Sequence, residues 1–193
     1  MKVKPLTVDP KQTKLASKFT VAQYETACSK KNKEEIAEAL RRRFKERYIE
    51  PVTAKNRHGF AMMAISCLMI ESLESFRQGW ENSNSKSELA FCYFFDSHSQ
   101  FDSFRGHCAQ FYKNVRCGIL HQAETTGGWR ITRKNSAPLF DAVSHTINAT
   151  SFLKHLCEVL DGFCDALKTA DWDSTEWKNV RKKMKALCHN CRP

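Results

Sequence analysis

Apolar residues along this chain recur mainly at helical spacing. Ile36, Leu40, Phe44 and Tyr48 stand four residues apart, which puts them on one side of a helix. Asn32 precedes them and can cap that helix by accepting from the free amides of its first turn. Pro51 is expected to end it, with Arg41, Arg42 and Arg43 on its wet side. A second helix is predicted from about Arg57 to Gly79. Its apolar residues, from Phe60 through Leu68 to Phe76, run nearly all round the circumference, as they do in a helix at the centre of a bundle. Glu71 is an acid inside that stretch, placed either at a helix edge or towards a functional groove.

Leu89 to Phe95 opens a third apolar segment, and a further helix is predicted from about Phe104 to His121 or slightly beyond. Trp129 to Arg133 alternates as a strand does, and a hairpin is predicted across Lys134–Asn135 to Leu139–Phe140. Ser151 or Thr150 caps a long helix through about Leu167. The last helix, about Ser174 to Leu187, has Trp177, Val180, Met184 and Leu187 on one face, with Arg181, Lys182, Lys183 and Lys185 around it. The aromatics Tyr93, Phe94, Phe95, Phe101 and Phe104 read as core. The sum is an all-α antiparallel bundle of four or five main helices with a small β-hairpin insertion. Residues 1–32 contain Pro5 and Pro10 and show no steady period; they read as a basic, loosely ordered arm with one helical turn near Val21–Cys28. The helical domain spans residues 33–188, followed by a tail, 189–193.

Composition narrows the class. The chain has 193 residues, enough to bury a core without covalent staples. The first residues, MKVKPLTVDPKQTK, lack the apolar centre of a secretory signal, and the longest apolar run, Phe60 to Ile70, is too short to span a bilayer. A cytoplasmic protein is expected, with no membrane partner. Its nine cysteines then read as small buried hydrophobes and form no bridges. The net charge of +10 is concentrated at the two ends, with 15 Lys/Arg against 7 Asp/Glu in residues 1–60 and 5 against 6 in residues 61–120. Such a balance favours a polyanionic partner.

Chemistry concentrates in Phe111-Tyr-Lys-Asn-Val-Arg-Cys-Gly-Ile-Leu-His-Gln-Ala-Glu124. Projected at roughly 100° per residue, Cys108, Phe111, Tyr112, Val115 and Ile119 gather on one side to be packed, with Lys113, Cys117 and His121 opposite. Arg116 lies on a shoulder, roughly 140° from His121. One helix does not aim both heads at one point, whereas two copies face to face across a twofold axis bring two Arg and two His into one cleft.

Arg116, four residues, then His121 resembles the R-x(4–6)-H signature of the HEPN superfamily. The phrase Val-Arg-Cys-Gly-Ile-Leu-His-Gln-Ala-Glu is similar to a bacterial, often plasmid-borne branch of it, as are Ile70-Glu-Ser-Leu-Glu-Ser-Phe76 with Gly79, Ile147-Asn148 before a long helix, and Trp177 with Lys183-Met184. The resemblance covers residues 33–188. It implies a HEPN-type bundle and a metal-independent endoribonuclease that needs no cofactor. It also implies a homodimer acting on RNA in toxin–antitoxin or antiviral defence, beside an antitoxin or defence partner. In that role Arg116 and His121 are catalytic, Cys117 and Glu71 supporting, and Lys113 and Asn114 hold the RNA backbone. Cys117 stands where the family often has Asn, Asp or another polar residue. Three other readings compete: a non-catalytic HEPN module binding RNA, nucleotide or protein; a thiol hydrolase built on Cys117 and His121; and a zinc site at Cys188-His189-x-Cys191 with His155 or Cys157.

Overall fold

The computed structural model describes residues 10–53 and 58–190. A short hairpin, β1 (Lys14–Ala16) and β2 (Phe19–Thr20), leads into α1 (Val21–Ser29), where Thr20 and Gln23 form a reciprocal capping box. These residues correct the loosely ordered arm: Leu15, Phe19, Val21, Tyr24 and Ala27 are all buried in the core. Their apolar spacing is too short and irregular to show a period, because a hairpin and a nine-residue helix divide it. Residues 1–9 of the predicted arm lie outside the described residues.

Helix α2 (Lys33–Phe44) starts at its expected cap, with Asn32 Oδ1 accepting from the Glu35 amide. It buries Ile36, Leu40 and Phe44. Pro51 does not end this helical run. A π-helical turn (Lys45–Ile49) follows without a break, and Pro51 lies inside the next turn, α3 (Glu50–Thr53), which continues the same run. The three arginines are also not merely solvated. Arg41 reaches Asp161 at 3.0 Å and Asp165 at 2.6 Å, while Arg42 and Arg43 donate to the carbonyls of Ser17 and Leu15. They fasten the N-terminal hairpin and a later helix onto α2.

The central helix is α4 (Gly59–Arg77), followed by α5 (Ser87–Ser97), a 3-10 segment Ser99–Phe104, and one continuous helical run made of α6 (Cys108–Phe111), a π turn (Tyr112–Cys117) and α7 (Gly118–Gln122). Phe104 therefore closes the 3-10 segment, and the motif helix begins only after Gly106, whose φ is +77°. Three short strands follow: β3 (Arg130–Thr132), β4 (Phe140–Asp141) and β5 (Thr146–Asn148). Two long helices end the chain, α8 (Ala149–Thr169) and α9 (Thr175–Asn190). Helix α4 packs against α5, α8 and α9, and α2 packs against α8. By length and composition α4 resembles a membrane span, but 61% of its apolar window is buried among its neighbours, as suits the middle of a bundle.

The predicted hairpin is replaced by a three-stranded sheet. β5 lies in the middle, parallel to β3 (Ile131 opposite Ile147) and antiparallel to β4 (Phe140 opposite Ile147). The reason is burial: Ile147 is fully enclosed, while Phe140 stacks on Trp129 and Phe104. Asn148, rather than Ser151 or Thr150, caps α8, accepting from the amides of both. The Phe94, Phe95, Phe101, Phe104, Phe111 and Phe152 rings form one fully buried cluster, whereas Tyr93 is 40% exposed beside Trp80. One cysteine expectation is overturned. Cys92 of α5 and Cys108 of α6 are joined in a disulfide where the two helices run side by side, 5.0 Å apart at Cα. Both thiols are half-buried, and a sequence separation of 16 gives no hint of the pairing.

Candidate functional site

The motif helix owes its shape to three local features. The π turn carries an extra residue, a form seen mostly as single insertions in helices and often at functional sites. Gly118 is buried, and a Cβ there would lie 2.6 Å from the Glu124 carbonyl, so only glycine lets the following loop fold back across the helix. Ala123 takes a left-handed φ of +57° and ends the helix. Asn114 then holds the returning loop: its carbonyl accepts from the Thr126 amide at 2.9 Å and its Oδ1 from the Thr126 hydroxyl at 3.0 Å. Asn114 is thus a fastener of its own loop. Of the packed side, Phe111 and Val115 are fully buried; Cys108, Tyr112 and Ile119 lie at its edge.

Arg116 and Glu71 come together. The Arg116 Nε donates to Glu71 Oε1 at 2.8 Å, with 17% and 8% of the two side chains exposed. Of the two placements open to Glu71, the structure takes the one towards the motif helix. The guanidinium also lies over the Tyr112 ring, 5.5 Å from its centre, a cation–π contact between residues four apart on the helix. Burial pulls the Arg116 pKa down, and the bond to Glu71 more than offsets it, leaving the cation held more firmly than usual. The Tyr112 hydroxyl is pushed up by burial and by Cys117 beside it. Cys117 is half-buried in this group, so Tyr112, Arg116, Cys117 and Glu71 form one cluster. Tyr112 was absent from the predicted site; its spacing of four from Arg116 was the available signal.

His121 is exposed and makes no hydrogen bond or ion pair with another described residue. Lys113 is likewise exposed. Within one chain Arg116 turns to α4 while His121 faces solvent, and Cys117 and His121 are not hydrogen-bonded to each other. None of the four described cavities is lined by Arg116 or His121. Beside them is an unusual surface. Phe60, Ala61 and Leu68 are exposed on α4, and Leu120 is exposed on α7, its neighbour. At roughly 100° per residue, Phe60, Ala64, Leu68 and Glu71 share one stripe of α4. The apolar strip therefore runs directly to the Glu71–Arg116 pair.

No three His, Cys, Asp or Glu side chains among the described residues lie close enough together to hold a metal. Cys188 and His189 line a cavity of 530 Å³ with Tyr24 and Cys28; Cys191, the third member of the terminal cluster, lies outside the described residues. Comparison with protein-family models, with curated proteins and with solved structures gives no match.

Proposed function

We propose that this protein is a metal-independent endoribonuclease of the HEPN type. RNA carries its own nucleophile, so the protein has to move protons and hold the phosphate. His121 takes the proton from the 2′-OH or delivers one to the leaving 5′-oxygen. Arg116 offers its guanidinium to the non-bridging oxygens as negative charge builds. The products are a 2′,3′-cyclic phosphate and a free 5′-OH.

The observation that carries this reading is a fixed arginine and a solvent-open histidine on one helix, beside apolar residues that are exposed among the described residues. A second copy docked on Phe60, Leu68 and Leu120 would cover that strip and set two motif helices face to face, each completing the other's Arg–His pair. Lys113 lies where it can attract the RNA backbone. A part in toxin–antitoxin or antiviral defence would put the enzyme in the cytoplasm with its RNA targets and make free enzyme toxic to its host. The test is purified protein with single-stranded and structured RNA in EDTA. Cleavage by the parent, lost in both Arg116→Ala and His121→Ala, supports the nuclease; cleavage that survives both variants overturns it.

One observation favours a second reading. Arg116 spends its Nε on Glu71 and keeps only 17% of its side chain exposed, as a structural arginine would. On that reading the protein binds RNA without cutting it, and the same assay shows retention in a filter or gel with no cleaved product.

A further inference from the structure

A cavity of 430 Å³ lies between the C-terminal ends of α4 and α5, the middle of α8 and the first turn of α9. It is away from the Arg116 helix and has its own buried support. Glu74 stands behind it, completely enclosed, and accepts from Arg77 Nη1 at 2.5 Å. The same Nη1 donates to His98 Nε2 at 2.9 Å. Since an arginine only donates, His98 accepts through Nε2 and carries its proton on Nδ1. Burial, then the Arg77 charge, lowers the His98 pKa to about 4, so the ring is neutral near pH 7. Burying an ion pair gives little net stability compared with apolar packing. What it does here is hold the guanidinium in one orientation at the cavity wall. The Nε and Nη2 groups of Arg77 make no hydrogen bond to a described residue, so one edge of the fork is unspent.

The remaining lining is mixed and includes two carboxylates. Glu158 and Glu176 supply carboxylates, Asn179 has its Nδ2 on the Arg77 carbonyl and its Oδ1 unspent, and Phe163 gives an apolar face. Glu158 also accepts from His155 at 2.9 Å, but a carboxylate has about four lone-pair directions. A donor fork and carboxylates lining one cavity suit a planar ligand with two acceptors on one edge and two donors on another. Guanine has that pattern: O6 and N7 accept a bidentate arginine, and N1–H and the 2-amino group donate. We propose that this cavity binds a guanine base, as the free nucleoside or as an unpaired guanine within RNA, with Arg77 on the O6/N7 edge and Glu158 or Glu176 on the N1/N2 edge.

Calorimetric titration of the whole protein with guanosine, inosine, 7-deazaguanosine and adenosine tests it. Guanosine should bind. Loss of the 2-amino group or of N7 should weaken binding at least tenfold, and adenosine should not bind in the same range. The double variant Glu158→Gln/Glu176→Gln alters only exposed side chains; it should weaken guanosine at least tenfold and remove the penalty for inosine. Equal binding of adenosine and guanosine, or no guanosine binding at millimolar concentration, overturns the proposal. A guanine-containing trinucleotide that binds tenfold tighter than guanosine assigns the site to RNA; equal or weaker binding assigns it to the free nucleoside. Because the readout is binding alone, His121→Ala should leave it unchanged whether or not the protein cleaves RNA.

Discussion

Two buried carboxylates on α4 each hold an arginine. Glu71 holds Arg116 and Glu74 holds Arg77. Removing one member of a buried pair leaves the other uncompensated, at a cost of about 3–5 kcal/mol. Glu71→Ala should therefore lower the urea midpoint markedly and also impair RNA cleavage, whereas His121→Ala, at an exposed and unbonded side chain, should abolish cleavage with little change in the midpoint. If both variants unfold alike, His121 has a structural partner and its proposed role fails. His98 gives a pH prediction. Its folded pKa, about 4, lies below the ordinary histidine value, so between roughly pH 6.5 and 4 the unfolded chain binds the extra proton and stability falls on acidification. The ring is partly exposed, and the screened loss is roughly 1–3 kcal/mol. Urea unfolding at pH 7.5 and 4.5 should show that loss in the parent and less of it in His98→Gln.

At the level of elements, the sequence shows what repeats locally and hides what depends on distant partners. The α2, α4, α8 and α9 positions follow directly from apolar spacing, and the Asn32 cap from its place before Glu35. The π turns do not show, because an i to i+5 bond has no residue signature of its own; nor does the parallel pairing of Ile131 with Ile147, whose strands are neighbours in the sheet but have β4 between them in sequence. Glu71 could be singled out as an acid in an apolar helix, but its arginine lies 45 residues away. Gly118 offers a test of the motif helix. An added Cβ would press on the Glu124 backbone at 2.6 Å, so Gly118→Ala should cost about 1–3 kcal/mol, seen as a lower denaturant midpoint. The Cys92–Cys108 bond closes a separation of 16 residues and should contribute about 3 kcal/mol by restricting the unfolded chain. Thiol titration in denaturant should find two fewer groups without reductant than with it. Equal counts would show the bond open.

For the whole molecule, the decisive quantity is the number of copies. Phe60, Leu68 and Leu120, each more than a third exposed beside the Arg116 helix, are where a second copy is proposed to dock. Leu68→Asp, with Leu120→Asp as a second probe, should shift the protein from dimer to monomer in sedimentation while circular dichroism stays unchanged, and cleavage should fall with it. A parent chain that sediments as a monomer at all working concentrations would remove the composite site.

Asn148 has one more consequence. It is 1% exposed, its Oδ1 capping α8 and its Nδ2 donating to the carbonyls of Lys134 and Ala137. Yet Asn148-Ala149-Thr150 is also an acceptor sequence for N-linked sugar. A chain routed through a secretory expression host would meet the glycosylation machinery before α8 has closed over that amide. Any copy modified there would be barred from completing the fold, so from such a host Thr150→Ala should give the more homogeneous material.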